Sequence, residues 1–197
     1  VDGKLVGIYG TWYQNDANRL GAYVDTWLQY GWFDNKVEGD MLPKVSYKSR
    51  GWAVSGEAGY AIALRDNWVI EPQAQVIHVN LRGDDVSELN GTAVSQGSRN
   101  NLITRLGARF YRTYVSDDDR KIQPFVGLNW WHSSNSGGIG FNGTEMNAMY
   151  PLNRYELKVG VNADLGKRWT GWTNLSGSLG SQDYYQYALR VGVKYSW

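Results

Sequence analysis

The stretch Tyr155-Glu-Leu-Lys-Val-Gly-Val-Asn-Ala-Asp-Leu165 decides how this chain folds. Its odd positions are Tyr155, Leu157, Val159, Val161, Ala163 and Leu165, and its even positions are Glu156, Lys158, Gly160, Asn162 and Asp164. A helix would repeat its apolar residues every three to four positions. Strict alternation instead describes an extended strand with one apolar face and one polar face. The C-terminal run repeats the pattern, with Tyr187, Leu189, Val191, Val193, Tyr195 and Trp197 opposing Ala188, Arg190, Gly192, Lys194 and Ser196.

Working outward, the same alternation predicts nine strands: Lys4–Tyr13, Gly21–Phe33, Gly51–Leu64, Trp68–Leu81, Asn101–Val115, Ile122–Trp131, Tyr155–Leu165, Trp169–Leu179 and Gln186–Trp197. No segment reads as a helix, and no shift of composition marks a domain boundary, so residues 1–197 read as a single all-β domain. The connections alternate in length. Asn35–Arg50, Arg82–Asn100 and His132–Arg154 are long and rich in Gly, Ser and Asn, whereas Arg65–Asn67, Ser116–Lys121 and Gly166–Arg168 are short turns. Long and short connections therefore fall on opposite ends of one up-and-down antiparallel sheet.

Composition removes several functions. Twenty basic against 19 acidic side chains, interspersed, leave no basic stripe for phosphates, so no nucleic-acid partner is expected. The absence of cysteine excludes disulfides, thiolate metal sites and cysteine nucleophiles within these residues. No run approaches the roughly 18 apolar residues of a membrane-spanning helix, which leaves strands as the one way to cross a bilayer.

Alternation alone does not separate a lipid-facing wall from a soluble sandwich. Four features favour lipid. Runs of 10 to 14 residues exceed the ~5–6 of soluble strands. The polar face mixes Gly59, Gly107, Gly127, Gly160 and Gly192 with charges of both signs, as suits the inside of a curved wall. Aromatic residues gather at strand ends (Trp12, Tyr13, Trp32, Phe33, Trp52, Trp68, Trp130, Trp131, Trp169, Tyr195, Trp197), as in interfacial girdles. Short turns on one side and long loops on the other match the outer-membrane asymmetry. The expected fold is a transmembrane up-and-down antiparallel β-barrel. With short turns on the periplasmic side, nine strands place the chain's start outside, whereas single-chain bacterial barrels have even strand numbers. A missing N-terminal piece is the reading adopted.

Several segments resemble the translocator β-domain of autotransporters, the type V secretion proteins of Gram-negative bacteria. They are Gly7-Ile-Tyr-Gly-Thr-Trp-Tyr13, Gly21-Ala-Tyr-Val-Asp25, Gly56-Glu-Ala-Gly-Tyr60, Trp68-Val-Ile-Glu-Pro-Gln-Ala-Gln75, Arg105-Leu-Gly-Ala-Arg109 and Pro124-Phe-Val-Gly127, followed by the alternating C-terminal strand. The adhesins of that family are nearest in detail. The resemblance implies a twelve-stranded barrel preceded by a helix in the pore, so this chain would lack about three N-terminal strands and the helix. It also implies an outer-membrane location, export and anchoring of an N-terminal passenger at the cell surface (an adhesin), no cofactor, and a monomeric barrel. The partners implied are lipid, the passenger and the barrel-insertion machinery.

On that reading Leu189, Val191, Val193, Tyr195 and Trp197 resemble the insertion signal, which the machinery would read by strand addition. Glu57, Glu71, Gln73, Arg105, Arg109, Glu156, Lys158, Asp164, Arg190 and Lys194 would face the lumen, either lining a wet passage or pairing to hold its shape. Enzymatic signals are poor. His78 with Asp84-Asp85, or His132 with its following serines, would suit a barrel protease of the omptin type, and a passive porin is the other alternative. Asp117–Asp119 reads as an acidic turn before a strand, not as a cation loop. Asn90-Gly-Thr92 and Asn142-Gly-Thr144 match the glycosylation pattern but read as turn chemistry. No catalytic or metal-binding residue is assigned.

Overall fold

The computed structural model describes residues 2–37, 45–87, 93–95, 98–135, 138–141, 144–147, 151–166, 168–181 and 183–195. The strands are β1 Asp2–Tyr13, β2 Gly21–Val37, β3 Val45–Ala63, β4 Trp68–Gly83, β5 Val86–Ser87, β6 Ala93–Ser95, β7 Ser98–Arg112, β8 Tyr114–Val115, β9 Lys121–Ser133, β10 Gly138–Phe141, β11 Thr144–Asn147, β12 Asn153–Asp164, β13 Trp169–Gly180 and β14 Tyr185–Tyr195. Nine long strands form one antiparallel meander in the order β1-β2-β3-β4-β7-β9-β12-β13-β14, a half-barrel, with β8 continuing the β7 pairing against β9. Each of the nine expected strands is present. Among the described residues no helix is long and apolar enough to cross a membrane, and one turn of 3₁₀ helix at Arg65–Asn67 fills a predicted short turn.

The boundaries differ at the long-connection end. Pairing of β2 with β3 continues to Val37↔Val45, through residues expected to be loop. Within the other two long connections β5, β6, β10 and β11 form a separate four-stranded sheet, with β6 of one connection paired to β10 of the other. Elsewhere the β3–β4 ladder lapses opposite Pro72, which has no N–H to donate.

One face of the meander is concave, and burial shows which. Tyr23, Ser55, Ala61, Val69, Glu71, Arg105, Tyr111, Asn129, Glu156 and Ser176 are buried, and by register all lie on a single face. On that face Arg105 of β7 reaches Glu57 of β3 across the whole of β4. Strands two apart in a flat sheet are roughly 9.5 Å from one another, so such contact needs curvature toward that side. Two glycines let the wall curve tightly. A Cβ on Gly160 would come within 2.5 Å of the Thr173 carbonyl and 2.7 Å of the Phe125 ring, and the Trp172 ring lies directly over Gly192.

The convex face is apolar and exposed. Its exposed side chains include Val6, Ile8, Val24, Leu28, Val54, Val76, Leu106, Val126, Leu128, Leu157, Val159, Leu175, Leu189, Val191 and Val193. Aromatics bound this band at both ends. Trp12, Trp68, Phe110, Trp169 and Tyr195 lie toward the short turns, while Trp32, Trp52, Trp130, Tyr155, Tyr185 and Tyr187 lie toward the long connections. From Tyr185 to Tyr195 is ten steps, about 34 Å along the strand, or roughly 26 Å of height at a tilt near 40°. That is the thickness of an outer-membrane apolar band. Tyr13, Phe33 and Trp131, expected in the girdles, lie on the concave face instead, because adjacent residues of a strand point to opposite sides.

Val191 sits midway along β14 at 69% exposure. Val191→Arg would put a guanidinium at the centre of the apolar band, at a cost of about 2–4 kcal/mol. Arg190→Gln, on the opposite face, is the control. The fraction of barrel keeping its compact, heat-sensitive mobility on unboiled gels should fall for the first and hold for the second.

Candidate functional site

The candidate site is the concave wall, built by every second residue of the long strands. Glu57, Glu71, Gln73, Arg105, Arg109, Glu156, Lys158, Asp164, Arg190 and Lys194 all fall on it by register. A belt of contacts runs across it. Tyr23 Oη donates to Glu57 Oε1 at 2.7 Å, and Arg105 Nη2 meets Glu57 Oε2 at 2.7 Å. Arg105 Nη1 donates to Asn129 Oδ1 at 3.2 Å. Asn129 Nδ2 and Trp131 Nε1 both donate to Glu156 Oε2, at 3.1 and 3.0 Å. Lys158 Nζ is 3.7 Å from Glu156 Oε1. The belt thus links β2, β3, β7, β9 and β12 in one connected network.

Side branches hold the remaining residues. Gln73 Nε2 donates to Glu71 Oε1 at 2.6 Å. Arg109 donates from Nη2 to Gln123 Oε1 at 3.1 Å and stacks over the Phe125 ring at 4.2 Å. Arg190 Nη1 donates to the Ser176 hydroxyl at 3.3 Å. Asp164 accepts from the Lys121 backbone N–H and, at 3.5 Å, from the Thr170 hydroxyl, tying the wall to the short-turn end. Lys194 lies beside Thr170. Most partners of the charged groups are amides, hydroxyls and rings, which satisfy a charge without cancelling it.

Sequence reasoning missed Tyr23, Asn129, Trp131, Gln123 and Asp25, which accepts from the Thr11 hydroxyl at 2.6 Å. Parity was the signal available for Tyr23 and Trp131, since each follows a convex-face residue. The network partner of Glu156 was not readable, because it depends on the register between β9 and β12.

The other candidates sit apart from this belt. His78 and His132 are on the convex face, His78 with its ring 5.1 Å from Trp52 and His132 with Nδ1 3.0 Å from Asn153 Oδ1. Ser133 donates to Asn101 at 2.9 Å and Ser134 accepts from the Leu102 N–H, so the structure does not bring a His–Ser pair together. Asp118 is paired with Arg120 inside the tight turn before β9. Leu189, Val191, Val193 and Tyr195 form the convex row of β14, whose far edge has no partner strand among the described residues. Trp197 and Asn90–Thr92 lie outside the described residues, as does Asn142.

Arg105 and Glu57 have side chains only 10% and 16% exposed. Arg105→Ala would leave the Glu57 carboxylate without its cation, costing about 3 kcal/mol by analogy with broken buried pairs. The double change Arg105→Met with Glu57→Gln should recover much of that. The temperature at which the compact band disappears on gels measures both.

Residues 1–176 match the family described as the autotransporter beta-domain. The Escherichia coli K12 protein YuaQ is 36% identical over the whole chain, which spans 15% of its length. The E. coli autotransporter adhesin AIDA-I is 28% identical, again over the whole chain and 16% of its own length. The crystal structure of the AIDA-I transport unit superposes with a TM-score of 0.91, covering 99% of this chain and 66% of that one at 27% identity. The beta domain of the Bordetella autotransporter BrkA gives 0.77 over 99% of this chain and 73% of its own, also at 27% identity. The chain therefore spans 15% of the length of YuaQ and 16% of that of AIDA-I. Its matched residues and its curved nine-strand wall together place the chain in the autotransporter β-domain family.

Proposed function

We propose that the chain forms part of an outer-membrane translocator that exports an N-terminal passenger through its lumen and then anchors it at the cell surface, the passenger being an adhesin. The observation that carries this reading is the division of the wall into two chemistries. One face is a connected polar belt, and the other an apolar band about as high as a bilayer and edged with aromatics. A wall of that kind faces lipid outside and an aqueous passage inside. Family membership and the likeness to an adhesin's transport unit support the passenger and its class.

The ten concave-face polar residues serve that passage collectively, as its wet lining. The convex row of β14 is both lipid contact and the edge by which the insertion machinery takes hold through strand addition. Further strands complete the barrel as a single copy, a reading supported by the share of the AIDA-I transport unit that these nine strands cover. The wall itself carries out no catalysis and binds no cofactor.

The test uses the complete open reading frame with an epitope tag before Val1. In intact cells the tag should bind antibody and be removed by added protease. A tag reached only after permeabilisation would overturn the reading. The change of both His78 and His132 to Ala should leave surface exposure of the tag unchanged, since both lie outside the passage. Loss of exposure without loss of barrel would return a histidine-dependent activity to consideration.

A further inference from the structure

Parity puts Arg50 of β3 and Arg82 of β4 on the convex face, and the ladder sets them directly opposite one another. Both side chains are exposed. Like charges directly opposite across a ladder destabilise a sheet, since their Cβ atoms stand only about 5 Å apart. The same row runs on through Trp32 of β2 to Lys4 of β1. Among the described residues no carboxylate lies within ion-pair distance of Lys4, Arg50 or Arg82. The nearby acids stand in the next row outward, Asp34 opposite both Asp2 and Lys48, and Asp84 bonded through its N–H to the Lys48 carbonyl. A like-charge pair that the fold leaves unmatched calls for an anion from outside the chain.

Depth in the membrane fixes where that anion comes from. Arg50 is two residues beyond Trp52, which on a strand tilted near 40° is roughly 5 Å higher. Trp32 and Trp52 belong to the aromatic edge at the long-connection end. The two guanidinium groups therefore stand at headgroup level, where the anion is a lipid phosphate. The neighbouring amides narrow the class of lipid. Asn80, opposite Trp52 and also convex, donates to the Asn100 side chain. Amides and exposed indoles at this depth suit the hydroxyls and the apolar face of a sugar. The short-turn end is different, because Arg112 there stands opposite Trp68 and lies over the Trp68 and Tyr114 rings.

We propose that Arg50 and Arg82, with Lys4 extending the row, bind a phosphate of a glycolipid in the outer leaflet, its sugar resting against Trp52 and Asn80. Paired guanidinium N–H groups match two phosphate oxygens at once. The bound phosphate removes the repulsion between the two arginines and fixes the height of the wall against lipid. The inference rests on the translocator reading in one respect, that the long connections face outward.

The test uses the full-length protein, extracted from outer membranes in a non-ionic detergent, stripped of lipid and mixed with lipid A, a phosphorylated glycolipid. Native mass spectrometry should show a single lipid A retained on each barrel. Dephosphorylated lipid A should be retained about tenfold less, as should intact lipid A on Arg50→Gln with Arg82→Gln, since charge-assisted hydrogen bonds are lost. Arg112→Gln should retain the parent amount, and a loss equal to that of the double variant overturns the assignment to this row. Equal retention of the dephosphorylated lipid overturns the inference even where the double variant fails to fold. Displacement by an equal concentration of phosphatidylglycerol overturns it too, because the surface then accepts any anionic lipid. A tagged passenger on intact cells separates the two readings. Display without lipid A retention overturns this inference alone, and retention without display overturns the translocator reading alone.

Discussion

A strand turns successive side chains to opposite sides, and everything in this wall depends on that constraint being kept without slippage over nine strands. No long strand changes face within its length, and each ladder holds one register from end to end. A slip of one residue in β7 would carry Arg105 into lipid and Leu106 into the belt. The face is odd-numbered through β9 and even-numbered from β12 onward. The chain resets its parity between β9 and β12, in the long connection.

That constraint also explains why the membrane-embedded strands could be read from sequence and their outer extensions could not. Inside the apolar band each strand must offer lipid an apolar row, so the alternation is strict. Beyond the girdle water lies on both sides. Asn35 and Lys36 pair with Tyr47 and Ser46 in the same ladder, but no face is required to be apolar, and the period disappears while the hydrogen bonding continues. Polar, glycine-rich sequence therefore reads as loop where backbone pairing alone holds strands together. The small β5, β6, β10 and β11 sheet was hidden for the same reason, and it joins two connections more than forty residues apart.

The concave wall was partly legible, and the limit is instructive. Placement on one face follows from parity alone, so Glu156, Lys158 and Arg190 share a side as soon as their strands are drawn. Contact does not follow. Arg105 reaches Glu57 over β4 because the sheet curves, while Gln75, which lies between them in the same row, turns aside to the Ser55 hydroxyl. Curvature is a property of the whole wall. Aromatic pairs misled in the opposite direction. In Trp130-Trp131 the first faces out among the girdle residues and the second faces in, donating to Glu156 and receiving Arg105 and Arg154 on its ring. One residue type thus serves two solvents a single position apart.

On the proposed function, a passage for polypeptide has two requirements that pull against each other. Its lining must be polar enough to stay wet, yet a lining of free charges would hold whatever passed. The belt meets both by consuming its charges internally: Glu57 on Arg105 and Tyr23, Glu156 on Asn129, Trp131 and Lys158, Glu71 on Gln73. Most of these bonds join neighbouring strands, and the Arg105–Glu57 pair, which joins strands two apart, braces the curve. Amides and hydroxyls as intermediaries matter here, because they fill hydrogen-bonding capacity without the rigid one-to-one matching of ion pairs. On that proposal, a wall braced this way would present hydration and shape to a moving chain.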